Sequence, residues 1–145
     1  MELVPFRPEH LAQIRLTERD MDLMMGINPL PMLQAGPAFT LLNEKSVLGI
    51  GGIAMLWRGV GEAWVIASPE VQQNPIIFHR TIKKMLHIIS DNMKLHRVQA
   101  AVMESFERGH KWIKLFGFKE EGKMEGYGPN GENFIRYART RKCHS

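Results

Sequence analysis

The sequence predicts an α+β fold in which about four helices flank one central, twisted, mixed sheet of about seven strands. Three observations predict it. The hydrophobic period switches from helical to alternating near Ala38 and back to helical after Pro75. Two turn-rich breaks, at Asn43 to Ser46 and Arg58 to Gly61, cut the middle of the chain into a three-strand antiparallel meander. One long amphipathic helix then separates two strands, and such a crossover favours parallel pairing of the strands it joins.

The elements follow in order. Leu3 to Arg7 reads as a short strand ended by Pro8, and Glu9 to Leu16 and Glu18 to Met25 read as two short helices. Thr17 caps the second, with Asp20 at its third position in a capping-box arrangement, and Gly26 stops it. Asn28-Pro29-Leu30-Pro31 predicts a non-helical connection. Strands follow at Ala38 to Leu42, Val47 to Leu56 and Glu62 to Ala67. Gly49, Gly51 and Gly52 point to a bulge or a close backbone approach in the middle one.

Asn74 as N-cap and Pro75 at the first helical position open the clearest helix. Its stripe is Phe78, Ile82, Met85, Leu86, Ile89 and Met93, with Arg80, Lys83, Lys84 and His87 largely off it. Arg97 to Met103 is a strand with Val98, Ala100 and Val102 on one face. A helix over Phe106 to Phe116 closes at Gly117, and Phe118 to Met124 with Phe134 to Arg139 make a final hairpin.

Composition sets the outer limits. With 44% hydrophobic and 23% charged residues, the 145-residue chain fits one folded domain over 1–145, ending in a basic tail at 140–145. A formal charge of +4 is too mild for a nucleic-acid footprint, and a solvated tail is the expectation for Arg136, Arg139, Arg141 and Lys142. The single cysteine, Cys143, excludes an internal disulfide or a Cys-based zinc site and fits a reducing compartment. The six histidines form no His-x-x-x-His pair, so no metal is expected. The longest apolar stretch, Val47 to Trp57, is glycine-broken and far short of the roughly 20 residues of a spanning helix. Met1 to Arg7 lacks the regions of a secretory leader, so the expected location is the cytoplasm and no membrane partner is expected. Ten methionines include a cluster at Met21, Met24, Met25 and Met32, read either as core filling or as a flexible wall for an acceptor.

This order of elements, together with local sequence, resembles the GNAT superfamily of acyl-CoA-dependent N-acyltransferases. Val65-Ile66-Ala67-Ser68-Pro69-Glu70 is similar to the end of the family's fourth strand. The helix after it stands where the family holds its cofactor, and Lys111-Trp112-Ile113-Lys114-Leu115-Phe116-Gly117-Phe118 resembles the "LYEKLGF" helix end. The resemblance covers nearly the whole chain and implies transfer of an acetyl or other acyl group from acyl-CoA to the amine of a small molecule or a protein. The backbone of Val65, Ile66 and Ala67 would then hold the acyl arm. The pyrophosphate would sit at Gln72, Gln73, Asn74, Ile76, Ile77 and Arg80, where backbone N–H groups and the positive helix end attract an anion. Glu62 and Glu104, at strand ends, are the candidate general bases.

Three positions depart from the family pattern. Pro75 and Ile77 stand where the phosphate loop has glycines, and Ile113 stands where many members carry the tyrosine that protonates the leaving thiolate. The phrase Trp112-Ile113-Lys114 is similar to GNAT-like proteins of tailed phages and prophages, including internal virion proteins. That likeness implies an alternative: a non-catalytic protein acting through contacts with a phage or host partner, in a virion or in host takeover. In the family the final strands often mediate dimers, so a homodimer is the oligomer to look for.

Overall fold

The computed structural model describes residues 1–24, 28–44 and 46–141. Met25, Gly26, Lys142 and Cys143, which carried sequence expectations, lie outside the described residues. Seven strands form one sheet in the order β1-β2-β3-β4-β5-β7-β6: β1 Glu2–Pro5, β2 Ala38–Asn43, β3 Ser46–Trp57, β4 Val60–Ala67, β5 Arg97–Met103, β6 Lys119–Met124 and β7 Phe134–Thr140. All neighbours are antiparallel except β4 and β5, which run parallel on either side of the crossover helix. The helices are α1 Pro8–Gln13, α2 Glu18–Met24, α3 Leu30–Leu33, α4 Pro75–Asn92 and α5 Glu107–Leu115, with a 3₁₀ turn at Pro69–Gln73.

The short α3 replaces the expected non-helical connection. Pro31 sits in its first turn, where the N–H that proline lacks has no intrahelical partner to lose. Asn28 Oδ1 accepts the N–H of Leu30 at 3.2 Å and fixes the start.

The sheet has helices on both faces, and the alternation of each strand decides which. On one face α4 and α5 cover Ile53, Val98, Ala100 and Tyr137, with Leu86 and Ile89 of α4 buried among them. Burying each such side chain contributes on the order of 1.5–3 kcal/mol. On the other face Ile14 and Leu33 close over Val47, Ile50 and Ile66. His10 of α1 is buried there, its Nδ1 accepting from the Arg7 N–H (3.0 Å) and from the Thr40 hydroxyl (2.8 Å). Those two donors hold the ring neutral, and burial pushes its pKa down, with Arg7 adding to the shift.

The glycines of β3 act through close approach. A Cβ on Gly49 would lie 2.8 Å from the ring of Phe78, so α4 is seated directly on the strand. A bulge lies beside them: Leu41 opposes Gly49 and Leu42 opposes Val47, which leaves Leu48 unopposed. The stripe of α4 packs as expected through Ile89; Met93 falls past the helix end and is exposed. The basic residues near the C-terminus are engaged rather than free. Arg141 donates to Asp91 Oδ1 (2.8 Å) and to the Ser90 carbonyl (3.1 Å), and Arg139 to the Phe116 carbonyl (3.2 Å). Strand β7 brings them there, which corrects the expected solvated tail up to Arg141.

Candidate active site

Strands β4 and β5 pair at only three positions, Val60–Glu62 against Arg97–Gln99. Beyond them β4 continues to Ala67 on β3, and β5 to Met103 on β7, so each arm keeps one full ladder while the two part from each other. A cavity of about 250 Å³ fills the split. It is lined by β3, β4 and β5, by α4 and α5, and at one end by Arg19, Asp20 and Leu23 of α2.

The ladder decides which backbone groups face this opening. The Ser68 N–H donates to the Leu48 carbonyl of β3 at 2.8 Å. The two-residue alternation of an antiparallel pair then turns Ile66 and Trp64 toward β3 as well, and turns Val65 and Ala67 toward the split. The structure therefore divides the three predicted backbone positions. Val65 and Ala67 present unpaired strand edge, whereas Ile66 is tied to β3 and its side chain is buried on the α1 face.

The start of α4 lies at the end of β4, after the 3₁₀ turn. Gln72, Gln73 and Asn74 are exposed in this connection, and Asn74 holds the N-cap position without a side-chain cap bond. Phe78 is the first residue whose N–H reaches back, to the Asn74 carbonyl at 3.1 Å. The N–H groups of Ile76 and Ile77 precede it and stay outside the helix ladder. Both side chains are exposed, at 66% and 45%. Arg80, Lys83 and Lys84 are exposed along the same helix and form no ion pair among the described residues. Across from it, Trp112 of α5 stacks on Phe78 (5.8 Å, 14°) and Phe116 stacks on His79 (4.6 Å, 18°), joining α4 and α5 at this end of the cleft.

The fold that carries these features is similar to that of solved acetyltransferases. A GNAT-family acetyltransferase from Bacillus anthracis is similar over 95% of this chain and 93% of its own, at 16% identity and a TM-score of 0.70. A variant of the spermidine N-acetyltransferase SpeG from Vibrio cholerae is similar over 97% and 95%, at 14% identity and a TM-score of 0.69. This chain has the GNAT acetyltransferase fold. No protein-family model and no curated protein sequence matches it.

Within the GNAT fold, the carboxylates expected as bases sit away from the cavity lining. Glu62 Oε1 accepts from Arg136 Nη1 (2.8 Å) and Gln99 Nε2 (2.9 Å), a pair only 16% exposed on each side. It pins β4 to β5 and β7 where the parallel ladder ends. Glu104 pairs with Lys123 at 3.0 Å and is half-exposed. Ile113 lines the cavity.

Two features escaped the sequence. His110 Nε2–H donates to the Glu104 carbonyl (2.9 Å), which leaves Nδ1 to accept the hydroxyl of buried Tyr137 (2.8 Å). Burial pushes the Tyr137 phenol up, and the charge of Glu120 adds to the shift. The pair satisfies a core hydroxyl and lies outside the cavity lining.

The second is Asp20. The cap expected of Thr17 is made, its Oγ1 accepting the Asp20 N–H at 3.2 Å. The carboxylate itself goes to the cavity wall and is only 16% exposed. Burial pushes its pKa up, against the opposing pull of Arg19 and of the Thr17 hydroxyl. Arg19 lies with its guanidinium 3.6 Å from the centre of the Phe106 ring and Nε 3.8 Å from Asp20 Oδ1. Of the methionine cluster the described members stand off the cavity, Met21 and Met32 exposed and Met24 packed toward the α1 face, while Met85 and Met103 from elsewhere in the chain line it.

Proposed function

We propose that the protein transfers an acyl group, acetyl in the simplest case, from acyl-CoA to an amine. One observation carries this reading: the unpaired edge of β4, which runs over Val65 and Ala67, meets a mostly apolar cavity at Val65. A backbone N–H aimed into such a space stabilises the oxyanion that forms when an amine attacks a thioester carbonyl. Holding the two reactants in one enclosed volume supplies much of the remaining acceleration.

The donor's pyrophosphate would rest at the start of α4, on the N–H groups of Ile76 and Ile77, with Gln72, Gln73, Asn74 and Arg80 around it. Proline at 75 and isoleucine at 77, in place of glycines, make this a looser anion site than the family pattern. Glu62 serves the reading as the clasp of the split, and Glu104 as a surface ion pair. No described helix is long and apolar enough to cross a membrane.

A calorimetric titration with acetyl-CoA tests the reading. Saturable heat, followed by thiol release in the presence of an amine panel, is the expected outcome. No heat at high micromolar protein overturns it. That outcome selects a second reading, a non-catalytic GNAT-fold protein binding a phage or host partner, which the exposed Ile76 and Ile77 favour: apolar side chains stand where an anion site would be bare backbone.

A further inference from the structure

The geometry points to Asp20 as the group that receives the acceptor amine and takes its proton, and to an acceptor that is a small primary monoamine on an apolar body. The inference rests on the acyl-transfer reading and adds the acceptor's chemistry to it. Asp20 and Arg19 are the only charged residues among those described that line the cavity. The side chains that β3, β4, β5, α4 and α5 present to it carry no titratable group, so among the described residues Arg19, beside Asp20, is the one other charge on this lining.

Arg19 is itself occupied, stacked on Phe106 and leaning on Asp20. It leaves Asp20 room for one cation and repels a second, which disfavours polyamines. Apart from Thr81, Trp64 and the free backbone edge of β4, the rest of the lining is apolar side chain, which favours an apolar body over a polar one. The cavity, about 250 Å³ and open to one side, takes the acyl end of the donor and the reacting end of the acceptor, which favours a small acceptor.

The proton balance follows. The acceptor enters as an ammonium and pairs with the Asp20 carboxylate. Burial raises the pKa of a carboxylic acid and lowers that of an ammonium, so the same apolar surroundings bring the two together and ease transfer of one proton to Asp20. The freed lone pair attacks the thioester carbonyl and forms the C–N bond. On collapse the C–S bond breaks, and the second N–H proton leaves with the thiolate as coenzyme A thiol. Asp20 returns its proton to solvent.

The test uses 2-phenylethylamine, spermidine and L-methionine as acceptors, with and without coenzyme A, on the full chain and on Asp20→Asn and Asp20→Glu. Calorimetry is expected to give binding of 2-phenylethylamine to the wild type and about 100-fold weaker binding to Asp20→Asn, the scale of a lost charge-assisted pair. Asp20→Glu restores part of it. Affinity for acetyl-CoA stays within about twofold in both variants, since the donor does not touch Asp20. No amine binding to the wild type, binding that survives Asp20→Asn, or a preference for spermidine or methionine overturns the assignment. Failure of the acyl-transfer reading looks different: acetyl-CoA does not bind, while amine binding remains sensitive to Asp20.

Discussion

The two ends of the split in the sheet hold the same functional group in opposite circumstances. At the apex, Glu62 accepts from Arg136 and Gln99 and is spent on holding three strands together. At the α2 end, Asp20 stands on an apolar wall with one cation at 3.8 Å and a pKa raised by burial. A carboxylate engaged by two fixed donors on one oxygen stabilises structure. One held against its own desolvation is available to a ligand that arrives with a charge. The contrast separates the two better than their positions along the chain do.

Breaking the apex should have the largest effect. Glu62→Gln leaves the Arg136 guanidinium mostly buried beside a neutral partner and is expected to cost about 3 kcal/mol in denaturant unfolding. A loss below about 1 kcal/mol would mean that the clasp does not hold the split. Acid tests the middle of the range at a third titratable group. Because His10 is held neutral and its folded pKa lies below the ordinary 6.5, the unfolded chain binds the extra proton more readily. Stability present above that ordinary value is therefore lost as pH falls toward and through the folded pKa. His10→Asn, which keeps an acceptor for the Arg7 N–H, is expected to flatten that decline in melting temperature between neutral and acidic pH.

At the other end of the comparison the sign reverses. The folded pKa of Asp20 is raised, so its charged form costs stability that is regained as pH falls through the folded value toward the unfolded one. Asp20→Asn should accordingly raise the melting temperature at neutral pH, with the gain shrinking on acidification. A variant more stable and less able to bind amine is the signature of a residue kept for function. The smallest effect is expected at the helix start. Ile77→Gly removes an exposed side chain beside the free N–H groups and should tighten acetyl-CoA binding a fewfold in the same titration, at a cost of about 1 kcal/mol or less to the helix. Unchanged or weaker binding places the phosphates elsewhere.

Much of the fold is legible in the chain because its signals are local. Val98, Ala100 and Val102 alternate within β5, and its bounds are those that the pattern predicts. Asn74-Pro75 marks the start of α4 for the same reason. α3 is not legible, since prolines that forbid a helix interior are harmless in a first turn, and four residues carry no period. The candidate site divides along the same line. The free edge at Val65 and Ala67 follows from strand order. Asp20 is hidden by a sufficient local explanation, its place in a capping box. Only the packing of α2 against Phe106, 87 residues from Arg19 along the chain, sends its carboxylate to the cavity. His110 and Tyr137, 27 residues apart, meet for an equally non-local reason.

The two arms of the split share a mechanical property. Each is laced along its length, β4 to β3 and β5 to β7, and within the sheet they are joined across three residue pairs and one buried ion pair. A body built of two rigid plates and one short seam yields at the seam. A rotation about Glu62 and Gln99 would change the width of the cavity without breaking a ladder hydrogen bond within either arm. The aperture of the cavity can vary with what occupies it while both plates keep their shape.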